Sequence, residues 1–124
     1  MSFKGCQQLT VLFTCGPDAV AEGDALFENH AAWMERSHHR DGDLSLLMYS
    51  VSKGPELENS LDPSSAQTGN TTFVLTEIYA GRAGVDDHWR QAAISWDGFE
   101  AFASFAVKCK ISTLHGAEIV QGLW

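Results

Sequence analysis

Residues 73–89, FVLTEIYAGRAGVDDHW, decide how the rest of the chain is read. From Phe73 to Ala80 the side chains alternate as on a strand. Phe73, Leu75, Glu77 and Tyr79 take one face, and Val74, Thr76, Ile78 and Ala80 take the other. Both faces are largely apolar, which a half-solvated strand does not show. The chain then turns through Ala80-Gly81 into a helix on which Val85, His88, Trp89 and Ala92 share a face.

Outward from this stretch the remaining elements fall into place. Leu9 to Cys15 is β-branched and apolar enough for a first strand. Gly16-Pro17-Asp18 stops it and starts a helix, with Pro17 at the first turn and Asp18 and Glu22 at the positive dipole end. That helix runs to about His38, with a stripe of Val20, Phe27, Ala31 and Met34 and with Leu26 and His30 at its edge. Gly23 weakens it locally. Leu44 to Lys53 is a second strand, placing Leu44, Leu46, Met48, Ser50 and Ser52 on one face and Leu47, Tyr49 and Val51 on the other. Residues 54–70 lack any period and are expected to form a long, mobile loop. After residue 92, Ser95 is expected to cap a helix carrying Phe99, Phe102, Ala103, Ala106 and Cys109, extending as far as Leu114. Ala117 to Leu123 closes the chain as a strand.

The order is β-α-β-β-α-(α)-β, the split βαβ arrangement of ferredoxin-like α+β domains, with one four-stranded antiparallel sheet and helices on one side. At 124 residues the chain is expected to be a single domain, residues 1–124. A net charge of −8 leaves no basic patch for nucleic acid or an anionic membrane surface. No run approaches the roughly 20 apolar residues of a membrane span. MSFKGCQQLT has no secretory h-region, and Cys6, Cys15 and Cys109 lack metal or disulfide spacing, so a reduced cytoplasmic protein is expected.

Helices can cover only one face of the third strand. A second apolar face on Val74 and Ile78 asks for another cover, most economically a second copy packed sheet to sheet. A homodimer is the expectation.

The residues Phe73-Val74-Leu75-Thr76-Glu77-Ile78-Tyr79, followed by Ala83, Val85 and His88, resemble the antibiotic biosynthesis monooxygenase superfamily of dimeric α+β barrels. Asp62-Pro63 before the strand, and Ser95-Trp96 with Phe99 after the helix, are compatible with that pattern. The resemblance implies a homodimer with a small-molecule pocket between sheet and helices in each subunit. It implies either oxidation of an aromatic or quinol-type metabolite by dioxygen with no metal or other cofactor, or a non-catalytic ligand-binding or accessory dimer. The haem-degrading branch is disfavoured, because residues 9–15 contain no asparagine and no histidine follows Ser95 until His115.

His88 is the catalytic candidate. On an inward helix face its ring is either a general base for a phenol or quinol hydroxyl, or a packed histidine bonded to Glu77 or a carbonyl. Glu77, a carboxyl within an apolar strand face, must be paired or protonated. It serves either to orient His88 or to hold the fold. Trp33, Tyr49, Tyr79 and Trp89 are candidates for an aromatic substrate pocket or for plain core, and Asn29 and His30 for polar groups reaching toward it. His30 is expected at an interface or partly solvated. His38-His39, with Asp41 and Asp43, is read as a solvated loop, and no metal site is expected.

Overall fold

Why a strand this apolar is followed directly by a histidine-bearing helix becomes clear from the sheet into which it folds. A computed structural model describes residues 2–124. Strand β1 is Gln7–Cys15; a 3-10 turn, Pro17–Ala19, leads into helix α1, Val20–Ser37. Then come β2 (Leu46–Leu57), β3 (Gln67–Tyr79), α2 (Arg82–Ser95), α3 (Phe99–Ala106) and β4 (Lys110–Glu118). The strands lie in the order β2-β3-β1-β4, every pair antiparallel, with β1 and β3 central. This is the ferredoxin-like α+β fold. Among the described residues no helix is long and apolar enough to cross a membrane.

The helix-facing side of the sheet is set by register. Phe13 lies opposite Phe73 and Val11 opposite Leu75, so alternate residues of both central strands point at the helices. Phe13, Phe73 and, from the helices, Phe27 and Phe105 pack ring against ring, with centroids 5.2–6.1 Å apart for the pairs they make. Helix α1 presents Gly23, Leu26, Phe27, His30, Trp33 and Met34 inward. The stripe therefore lies beside the expected one: Val20 and Ala31 are only half-buried, and His30, expected at the edge, is 5% exposed. Gly23 sits at the centre of this face because a Cβ there would lie 2.7 Å from the Phe73 ring.

Four features differ from the sequence reading. Residues 54–70 are not a loop: β2 continues to Leu57 and β3 starts at Gln67, leaving a turn whose neck is closed by Glu58 N–H donating to the Ala66 carbonyl. Backbone pairing carries this ribbon where side-chain periodicity gave no signal, and Pro55 is tolerated because β2 is an edge strand. The expected face assignment of β2 breaks at a bulge between Leu46 and Met48. The extra residue puts Leu46 opposite Tyr79, on the same face as Tyr49, and turns Leu47 outward. Ser95 ends α2 and its hydroxyl donates to the Gln91 carbonyl, so Gly98, not Ser95, precedes α3. Finally, α3 stops at Ala106, and residues 110–118, expected partly as helix, form β4; residues 119–124 have no regular structure. Ile111 and Thr113, both β-branched, favour that strand over a continued helix. A second bulge, at Gly116 with φ +108°, lets β4 follow β1 from Leu9 to Gln8.

The other side of the sheet carries no helix. Leu12, Val74 and Leu114 lie on it, together with hydroxyls from Thr10, Thr76, Ser50, Ser52 and Ser112 at paired positions. Ile78 is already buried within the protomer.

Candidate active site

One end of the helix-facing side is filled by phenylalanines. At the other end the same register brings in polar groups: Tyr49 and Leu9 both pair with Glu77, and Gln7 and Leu46 pair with Tyr79. Above them, α1 contributes His30 and Trp33, and α2 contributes His88. His38 follows directly after α1, where its backbone N–H donates to the Met34 carbonyl and swings its ring inward. His30, His38, Glu77 and His88 are all buried, an unusual concentration of titratable groups for a protein interior.

These groups bond to one another. His88 Nδ1 and His38 Nε2 are 2.9 Å apart, and His38 Nδ1 is 2.9 Å from Ser37 Oγ. His30 Nδ1 is 2.8 Å from the Tyr49 hydroxyl. The Tyr79 hydroxyl donates to Glu77 Oε1 at 2.5 Å, and that same oxygen lies 3.5 Å from His88 Nδ1. Glu77 Oε2 has no partner among the described residues.

Burial decides the charge states. Desolvation, reinforced by neighbouring histidines, holds His88 down at about 3 and His30 at about 4; desolvation likewise lowers His38 to about 4 against the opposing pull of Asp87. All three rings are neutral at neutral pH. Desolvation pushes Glu77 up to about 8, against the Tyr79 hydrogen bond that favours its ionised form. Its meeting with His88 is therefore a contact between two neutral groups near pH 7, not an ion pair. Burial also raises the hydroxyls of Tyr49 and Tyr79, so both remain protonated.

Against this cluster lies a small, partly open cavity of about 30 Å3, bordered by His30, His88, Trp89, Trp96, Phe99 and Phe102 among others. That is room for a molecule the size of water or dioxygen. A larger groove of about 490 Å3 crosses the open sheet face past Leu12, Glu56, Thr72 and Lys110, away from the histidines.

The expected site residues divide into three groups. His88, Trp89 and His30 border the cavity. Glu77, Tyr49, Tyr79 and Trp33 stand behind it; Tyr79 and Glu77 are fully buried, and Trp33 stacks on Trp96 with centroids 5.7 Å apart. Asn29 is outside, exposed, and its Oδ1 accepts from Trp96 Nε1 at 2.7 Å, which fixes the indole that borders the cavity. His30 is neither interfacial nor solvated. His38 corrects the solvated-loop reading, whereas His39 does stay at the surface, 3.8 Å from Asp87. In the sequence Trp96 was visible only beside Ser95 and Phe99 as part of the family pattern, and Phe99 and Phe102 as a helical stripe. Nothing in the sequence marks His38, whose place depends on how α1 docks.

No protein-family profile and no curated protein sequence matches the chain. Solved structures do share its fold. A candidate antibiotic biosynthesis monooxygenase from Caulobacter crescentus CB15 superposes with a TM-score of 0.55 at 18% identity, over 94% of each chain. A dimeric ferredoxin-like protein from an uncultured marine organism gives a TM-score of 0.58 at 13% identity, over 94% of this chain and 97% of the other. At such identities the likeness is one of fold.

Proposed function

We propose that the chain is a monooxygenase-like enzyme acting on a small aromatic, quinol-type metabolite between sheet and helices, with His88 as proton acceptor and no cofactor. The observation that carries the reading is a neutral, buried His88 bordering an apolar cavity with Glu77 directly behind it. A ring held down at about 3 is by itself a poor base for a phenol, whose ordinary pKa of about 10 lies roughly 7 units higher. Ionised Glu77, 3.5 Å away, offsets the imidazolium charge and closes much of that gap. The active form is then the one with Glu77 deprotonated, so the rate rises with pH to a plateau above about 8. The electron-rich anion left after proton removal reduces dioxygen in a site from which water is excluded. A ring-sized substrate enters by displacing Phe99, the most exposed of the aromatic residues at the cavity.

The assay is oxygen consumption by chelator-treated protein given a panel of quinols and hydroxynaphthalenes. Turnover that His88→Ala leaves unchanged removes the base role. The low basicity of His88 favours a second reading, a non-catalytic ligand-binding dimer, which no oxygen consumption across the panel would support.

The functional unit we propose is a homodimer closed through the open sheet faces. Leu12 and Leu114 are exposed there, and the marine structural neighbour is itself dimeric. The free thiols of Cys6, Cys15 and Cys109 suit a reducing, cytoplasmic location.

A further inference from the structure

We infer that His30, Glu77 and His88 form a binding site for a divalent first-row transition-metal ion. These residues come from α1, β3 and α2, and each offers a ligand atom within 4.8 Å of the other two. No spacing motif joins them, which is why no metal site was expected from the chain alone.

The hydrogen bonds around the three residues leave one ligand atom open on each. With each Nδ1–H donating, His30 to the Tyr49 hydroxyl and His88 to His38 Nε2, both Nε2 atoms keep a lone pair and have no protein hydrogen-bond partner among the described residues. Glu77 Oε1 accepts from Tyr79, and Oε2 is buried and unpartnered. An orphaned carboxyl oxygen in a protein core is costly, and the histidine bonds offer it no relief. Metal-binding histidines usually have their second ring nitrogen held by an outer partner, and ligating carboxylates are held likewise. All three residues here meet that description.

Two neutral imidazoles and one carboxyl suit zinc or ferrous iron and disfavour calcium and magnesium, which prefer oxygen. Bonds of about 2.0–2.2 Å hold tetrahedral ligands roughly 3.4 Å apart, so ligand atoms must close by up to about 1.4 Å, and Glu77, whose Oε1 faces His88 Nδ1 at 3.5 Å, must turn Oε2 toward the Nε2 atoms on binding. Three protein ligands leave a coordination position open. The cavity bordered by His30 and His88 lies beside it and is large enough for a water molecule. Metal binding also displaces the Glu77 proton, which burial otherwise retains.

This inference goes beyond the proton-transfer reading and competes with it for His88 Nε2, so the two need separate readouts. Chelator-treated full-length protein is titrated with Co2+ and followed by visible absorption and melting temperature. One equivalent is expected to give d–d bands and a raised Tm. His30→Ala and Glu77→Gln are expected to weaken binding at least tenfold, Tyr49→Phe about tenfold through the outer bond to His30, and His39→Ala not at all. Co2+ binding equally tight in wild type and His30→Ala overturns the site. Should the variants unfold, Zn2+ added to 15N-labelled wild type decides. Nε2 shifts at His30 and His88, with none at His39 and His115, support the site; the reverse pattern overturns it. Oxygen consumption in chelator, measured beside these, reports on the metal-free base mechanism alone.

Discussion

Glu77 shows how one side chain ties stability to chemistry. Its carboxyl is fully buried, accepts from Tyr79 and keeps its proton to about pH 8. Glu77→Gln preserves the shape but replaces one O–H with two N–H donors at a carboxyl whose Oε2 has no hydrogen-bond partner among the described residues. Below pH 4.5 the variant is expected to be less stable by about 1–3 kcal/mol, the cost of an unsatisfied buried group. In wild type, however, the Glu77 contribution to stability is lost as pH rises from about 4.5 to about 8, where the folded state holds a proton that the unfolded chain has released. The deficit of the variant should therefore shrink above pH 4.5 and, since each pKa unit is worth about 1.4 kcal/mol, give way to a net advantage before the difference levels off above about pH 8, as read by urea unfolding at each pH. A deficit independent of pH would mean that Glu77 is ionised in the fold. At this scale the sequence was informative where a residue broke a pattern: a carboxyl among Phe73, Leu75 and Tyr79, and a histidine between Val85 and Ala92. It was silent on His38, which sits in a polar run and is buried only because the end of α1 lies over β3 and α2.

Among the elements, α1 carries a test in which two local effects oppose each other. Alanine is the better helix former than glycine by about 1 kcal/mol, so Gly23→Ala judged on propensity alone would stabilise. The added Cβ would instead meet the Phe73 ring at 2.7 and 2.8 Å and Phe105 at 3.0 Å. Both rings are buried against Phe27 and have little room to give. Overpacking of this kind costs about 1–3 kcal/mol, so a net loss is expected, seen as a lowered Tm. Gly54→Ala is the control: nothing lies within 4 Å of the new Cβ, and no loss is expected. The same contrast explains which elements could be read from the chain. Helices α1 and α2 announce themselves by an apolar period, because each packs one face on the sheet. The ribbon at residues 54–70 does not, since its strands are held by backbone bonds and face largely outward. The β2 bulge shifts its alternation by one residue, a change that no pattern within the strand reveals. Helix α3 has only eight residues, and its apolar stripe runs into β4 without a breaker, so the boundary is set by pairing with β1.

For the whole molecule, the open sheet face and the buried cluster give separate tests. Leu12 lies on the open face opposite Val74 and Ser112, 39% exposed in the protomer. If two sheets pack there, Leu12→Asp is expected to leave the circular dichroism spectrum intact and shift sedimentation to the 13.6 kDa protomer. A 13.6 kDa wild-type species at micromolar concentration removes the dimer. The cluster sets how stability depends on pH in chelator. In the unfolded chain His30, His38 and His88 titrate near 6.5; in the fold they do so at about 4, 4 and 3. Between these values the unfolded chain holds more protons, so stability falls as the solution is acidified through this window. Glu77 acts oppositely, its ordinary 4.5 raised to about 8, so over that interval the folded state holds the extra proton and stability falls with rising pH. At pH 5 three histidines outweigh one carboxyl by about two protons, whereas above pH 7 the carboxyl prevails by less than one. Stability is thus expected to peak near about pH 7, dropping steeply on the acid side and gently on the alkaline side until it levels above about pH 8. Glu77→Gln should abolish the alkaline decline and leave the acid limb in place. An acid limb shallower than one proton in wild type would mean that the three rings are not buried together, and the site assembled from them would fall with it.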